Sequence, residues 1–163
     1  MHRRILPIGI AALLGMALIA PTVSASSTRF MAPLSQAQEV GEVNAPGAGG
    51  SASLWLDGNT LHYRVDVRNL TGPAVMSHIH GTAPRHVDAG ISVWLCQTAA
   101  FPGPAGTPQC AATTDGRLVT GSVAVTSDQI AMLASGLAHV NVHTEAHLPG
   151  EVRGQVLPPG GGS

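Results

Sequence analysis

The sequence predicts an all-β fold, an antiparallel, Greek-key-like β-sandwich or barrel of about eight strands with one short helix. Three observations predict it. Apolar and polar residues alternate, so that Leu61, Tyr63, Val65 and Val67 fall on one side of a segment and His62, Arg64, Asp66 and Arg68 on the other. Segments of this kind recur along the chain between clusters of Gly, Pro and Asn. Helical spacing with start and stop signals stands out in one stretch, TSDQIAMLASGL.

The chain opens on a leader. MHRRILPIGIAALLGMALIAPTVSA joins a basic start (Arg3, Arg4) to an apolar run from Ile5 to Ala20 and the small residues Val23-Ser24-Ala25. That layout predicts a secretory signal peptide over residues 1–25 and a secreted or periplasmic destination. The run is shorter than the roughly 20 apolar residues a spanning helix needs, and Pro7 and Gly9 interrupt it. No membrane association is expected once the leader is removed.

One domain is predicted over residues 26–157. Its first strand is expected at 30–36. A hairpin follows, with Ala52, Leu54 and Leu56 inward on one strand and 61–67 on the next, joined through DGNT, where Asp57-Gly58 makes a tight-turn pair. Further strands are expected at 74–80, 90–96, 117–125, 138–143 and 151–157. The helix starts at Thr126 or Ser127, carries Asp128 in its first turn, packs Ile130, Leu133 and Ala134, and stops at Gly136. The tail, LPPGGGS, has nothing to pack, and 158–163 is expected to be disordered.

Charge and cysteine content narrow the function. The eight basic residues are all arginine, two of them in the leader, against nine acidic residues. Nucleic-acid binding needs a basic face, and none is present. Cys96 and Cys110 enclose QTAAFPGPAGTPQ, a Pro- and Gly-rich loop. An even cysteine count in an exported chain predicts a structural disulfide between them.

His139, His143 and His147 recur at every fourth residue in AHVNVHTEAHLPGEVRGQV, the spacing of one helical face. The spacing misleads. Val140 and Val142 alternate with His139, Asn141 and His143, and Pro149-Gly150 interrupts any helix beyond. The segment is a strand, with His139 and His143 opposite the valines and His147 in the following turn.

LSQAQEVGEVNAPGAGGSASLWL, LHYRVDVRNLTGPAVMSHIHG and HVNVHTEAHLPGEVRGQV together resemble the CHRD domain, the module named for chordin, from about Leu34 to Val156. The resemblance implies a secreted all-β module. It sets His78 and His80 on the family's His-x-His pair and His143 on the histidine of its NVHT motif. His139 stands where an aromatic is more typical, and His147 where asparagine is common.

In VMSHIHG, Val75 and Ile79 point one way while Met76, His78 and His80 point the other. Two histidines at i and i+2 on one strand face stand about 6.5–7 Å apart. They can converge on one ion through metal–nitrogen bonds of about 2 Å, which requires ring nitrogens within about 4 Å of one another. His143 on a neighbouring strand would complete the set, with His139, His147 or His86 as supplementary ligands. Imidazoles without thiolates suit copper or zinc, copper first.

Three readings follow. The first is an exported protein binding copper, or alternatively zinc, through these histidines. The second is a metal-free module binding an extracellular protein or matrix, its histidines structural. The third is a superoxide-dismutating copper enzyme, since His-x-His on a sandwich is similar to copper–zinc superoxide dismutases; the carboxylate set for a zinc loop is missing beyond Asp88 after His86. Glu151, Arg153 and Gln155 are expected to form an outward polar stripe, with Arg153 paired to Glu151 or Asp66. Ser77 faces away from His78, which disfavours a Ser-His nucleophile. Trp55 and Trp94 are expected in core or edge packing.

Overall fold

A computed structural model describes residues 27–160. The predicted leader, 1–25, and the last residues of the tail, 161–163, lie outside the described residues. The elements run β1 (Thr28–Ser35), a 3-10 turn (Gln36–Gln38), β2 (Gly49–Asp57), β3 (Thr60–Arg68), β4 (Ala74–His80), β5 (Ile91–Cys96), β6 (Gly116–Ala124), α1 (Ser127–Ala134), β7 (His139–Thr144) and β8 (Val152–Gln155). All eight strands belong to one sheet, ordered β5-β4-β7-β8-β1-β2-β3-β6. Every ladder in it is antiparallel. The all-β expectation holds.

The sheet curls into a nearly closed barrel because its inward faces share one core. Phe30 and Leu34 of β1, Leu54 of β2, Leu61, Tyr63 and Val65 of β3, Ile79, Leu95, Val140 and Val142 are all buried in it. Across the seam between end strands β5 and β6, the Tyr63 hydroxyl donates to the Leu95 carbonyl at 2.9 Å. Gln129 of α1 donates to the Ser92 carbonyl at 2.8 Å. The helix is thereby tied to β5 at the seam.

Local chemistry accounts for the boundaries. Thr126 caps α1 in a reciprocal capping box with Gln129. Met132 and Leu133 are the buried residues of the helix, and Ala134 is exposed rather than packed. The hairpin register pairs Asp57 with Thr60, so Gly58 and Asn59 are the central turn residues rather than Asp57 and Gly58. β8 is shorter than predicted. After it, Val156 donates to the Ala138 carbonyl and Leu157 exchanges backbone hydrogen bonds with Met31. Pro158–Gly160 end in a turn.

β2 and β3 alternate buried and more exposed residues, as the sequence predicts. The other half of the barrel does not. All six residues of β7 and all four of β8 are buried. Loop segments roof the outer face here. Gln155 donates to the Ala83 and Gly136 carbonyls, and Arg153 donates to the Val87 carbonyl at 2.7 Å. The expected outward stripe of Glu151, Arg153 and Gln155 is thus an interior layer. Glu151 accepts from Thr71 and Thr144, and Asp66 is held by Arg64 and Arg117. Neither is Arg153's partner; that carboxylate is Asp88, at 3.3 Å.

Cys96 and Cys110 are bridged, with Cα atoms 5.0 Å apart. Their loop folds back so that a Cβ on Gly103 would stand 2.5 Å from the Trp94 ring. Cross-linking residues 14 apart in sequence is expected to stabilise the fold by about 3 kcal/mol, mainly through the unfolded chain. Urea unfolding of the Cys96→Ser/Cys110→Ser variant should show that loss. An unchanged midpoint would contradict it.

Candidate metal centre

The ladder between β4 and β7 builds the site. Met76 pairs with His143, His78 with Asn141, and His80 with His139, all on the roofed outer face. His78, His139 and His143 are buried, and His80 is half-buried. One nitrogen each of His78, His80 and His143 lies within 4.8 Å of the others. The closest approach is His78 Nδ1 to His143 Nε2, at 3.1 Å. Two ligands on one ion with bonds of about 2 Å stand about 3 Å apart. The pair meets that separation; the full set needs a ring rotation of under about an ångström to reach the ~4 Å limit.

Hydrogen bonding fixes which nitrogens are free. His80 Nδ1 donates to the Ala89 carbonyl at 2.9 Å, because a carbonyl only accepts. His143 Nδ1 donates to the Leu148 carbonyl at 2.8 Å. Each neutral ring therefore keeps its lone pair on Nε2. The Nε2 atoms of His78 and His80 are buried with no hydrogen-bond partner. At His80 a backbone carbonyl holds Nδ1–H while Nε2 is left bare, the support that metal-binding histidines receive; the Nε2 of His143, held in the same way at Nδ1, instead accepts from His78 Nδ1.

His139 is oriented otherwise. Arg153 donates to its Nδ1 at 3.2 Å, and a guanidinium has no lone pair to accept with. That nitrogen is taken. The ring stacks on His80 with centroids 5.0 Å apart and planes 5° from parallel. His147 lies half-buried in the turn after β7 and His86 is exposed, and neither belongs to the three-residue group.

Trp94 forms a wall that the sequence reading left as ordinary packing. Its ring meets His78 edge-on, with centroids 4.2 Å apart. Trp55 lies on the other half of the sheet, stacked on His62. Arg153, Ala89 and Leu148 also serve the site, and sequence reasoning did not connect them to it.

Burial is the main cause of every imidazole shift here. It holds His78 down at about 3, helped by the neighbouring His143 and His80 rings. It holds His139 at about 3, with Arg153 adding to the effect. His143 is held at about 4 against the opposing Leu148 hydrogen bond, and His80 is lowered against that of Ala89. The rings are neutral at physiological pH, the form a metal ion requires.

Fold and site together define a class: a disulfide-bridged β-barrel carrying a largely buried three-histidine group beneath loops on its outer wall. The CHRD domain family model matches residues 30–156, and the chain belongs to that family. Comparison with curated proteins and with solved structures gave no match.

The shifts set the acid stability of the metal-free protein. Imidazoles with an ordinary value of 6.5 are protonated in the unfolded chain below that pH, whereas His78, His139 and His143 stay neutral in the fold down to about 3–4. Unfolding then takes up protons, so stability falls as pH drops from about 6.5 toward 4. Glu39 works the other way. Burial raises it to about 7, so its contribution is present at low pH and lost as pH rises from about 4.5 to 7. Three groups outweigh one. The melting temperature should fall clearly between pH 7.5 and 4.5; a flat profile would contradict the neutral, buried histidines.

Proposed function

We propose that this CHRD protein is exported and binds a transition metal, copper in preference to zinc, through His78, His80 and His143. One observation carries the reading: His78, His80 and His143 bring one nitrogen each within 4.8 Å of the others, the Nε2 atoms of His78 and His80 are buried without a partner, and backbone carbonyls hold the Nδ1 edges of His80 and His143. An unpartnered buried nitrogen costs free energy, and an ion that accepts its lone pair removes that cost. The all-nitrogen donor set suits Cu(II) and Zn(II), and the usual affinity order favours copper. Export is supported by the leader-like residues 1–25 and by the disulfide, which persists in oxidising compartments.

The bound ion supplies a Lewis-acidic, redox-capable centre. The chain's residues hold it, and loops limit the approach of water. Trp94 lies against His78, so bound Cu(II) is expected to quench its fluorescence.

Titration with Cu(II) should give one ion per chain. At free copper of 100 times the dissociation constant, it should stabilise the fold by about 2.7 kcal/mol. His78→Ala/His80→Ala should abolish both the stoichiometric binding and the Trp94 quench, whereas His86→Ala and His147→Ala should retain them. Equal copper retention by the double variant would reject the site.

A further inference from the structure

Three donor side chains share one face of β4. Met76, His78 and His80 occupy alternate positions, and Met76 stands directly opposite His143 in the ladder with β7. Directly opposed residues have Cβ atoms about 4.5–5.5 Å apart, and residues two apart along a strand stand about 6.5–7 Å apart. Met76 is thus a neighbour of both His143 and His78, the rings whose nitrogens approach to 3.1 Å. Its side chain is unbranched, with rotatable bonds and a polarisable thioether sulfur, so it can bring that sulfur to an ion held beside those rings. Met76 is half-buried and lies outside the apolar core, and such a swing leaves the core packing in place.

The fold offers the site no other sulfur among the described residues. Cys96 and Cys110 are joined in the disulfide. Met132 is a core residue packed against Gly81. Met31 lies on β1, three strands from β4 in the sheet, where its sulfur accepts from Ser53 Oγ at 3.4 Å.

Charge points to the kind of ion such a site holds. No carboxylate belongs to the histidine group. Asp88 is paired with Arg153, Glu151 accepts from Thr71 and Thr144, and Glu39 accepts from Asn141. Arg153 adds a fixed positive charge against His139. The cost of taking an ion out of water rises with the square of its charge. A neutral donor set under a roof therefore penalises a dication more than a monocation. A thioether is also a soft ligand, and soft ligands select Cu(I).

We infer that Met76 supplies a thioether ligand to the ion held by His78, His80 and His143, resting on the metal site proposed above, and that the completed site favours Cu(I) over Zn(II).

The test uses the full mature chain and the metals alone. Cu(I) affinity is read by competition with bicinchoninate, Zn(II) affinity by competition with a chromogenic zinc chelator, and the neighbours of Cu(I) by X-ray absorption. Met76→Leu conserves side-chain volume, a change that cores and surfaces tolerate. It should weaken Cu(I) at least about tenfold while leaving Zn(II) within about twofold. A tenfold loss confined to Cu(I) lowers the Cu(II)/Cu(I) reduction potential by about 59 mV. X-ray absorption should find a sulfur neighbour of Cu(I) in the native chain and nitrogen alone in the variant, a difference that a packing role for Met76 would not produce. Should the variant fail to fold, the native spectrum decides. A nitrogen-only shell in the native chain, or equal Cu(I) affinities, would overturn the assignment of Met76 and leave the histidine site standing. A native chain that takes up no copper would overturn both.

Discussion

The structure depends on a guanidinium buried where a strand would ordinarily meet water. Arg153 is 1% exposed, and a charge taken out of water costs several kcal/mol unless it is paired and hydrogen-bonded. Its donors are taken by the Val87 carbonyl, the Asp88 carboxylate and His139 Nδ1. These bonds tie the segment between β4 and β5 down over the sheet. That segment supplies the Ala89 carbonyl to His80. One buried cation thereby fixes both the roof and the tautomer of a ring beneath it. Its charge also disfavours protonating His80 and His139, which keeps them neutral at little further cost.

Neutrality gives the histidine layer its chemical character. Exposed imidazoles titrate near neutral pH and satisfy both nitrogens with water. Under the roof, water is excluded, and His80, His139 and His143 each have one edge bound by backbone or arginine. The remaining edges meet one another, and His78 and His143 share a single contact of 3.1 Å. The disulfide reaches this layer too. Its loop presses Gly103 against Trp94, and Trp94 closes the edge of His78. A covalent staple far from the histidines in sequence thus contributes a wall of their enclosure.

Alternation made the strands legible, because β2 and β3 have one wet face and one dry face. It also separated Val140 and Val142 from His139 and His143, against the helical look of their fourfold spacing. Period two reports polarity, however, and not exposure. The stripe of Glu151, Arg153 and Gln155 reads as surface by composition, and only the loops above it reverse that reading. The trio His78, His80 and His143 was recognisable from strand faces and family motifs. Ala89 and Leu148 were not, because they act through carbonyls, which every residue possesses. Arg153 could not be matched to its carboxylate either. The nearer candidates, Asp66 and Glu151, satisfy other donors first.

Asn141 is the joint between the two halves of this polar layer. It pairs with His78 across the ladder, and its amide meets Glu39. A neutral side chain here separates the imidazoles on one side from a carboxylate on the other, so neither must neutralise the other. A carboxylate at this position would stand beside Glu39 and raise its cost of ionisation further; a cation would take the proton-free edge of the histidine group into its own field. The amide does neither. It also couples the halves only weakly, through one long hydrogen bond.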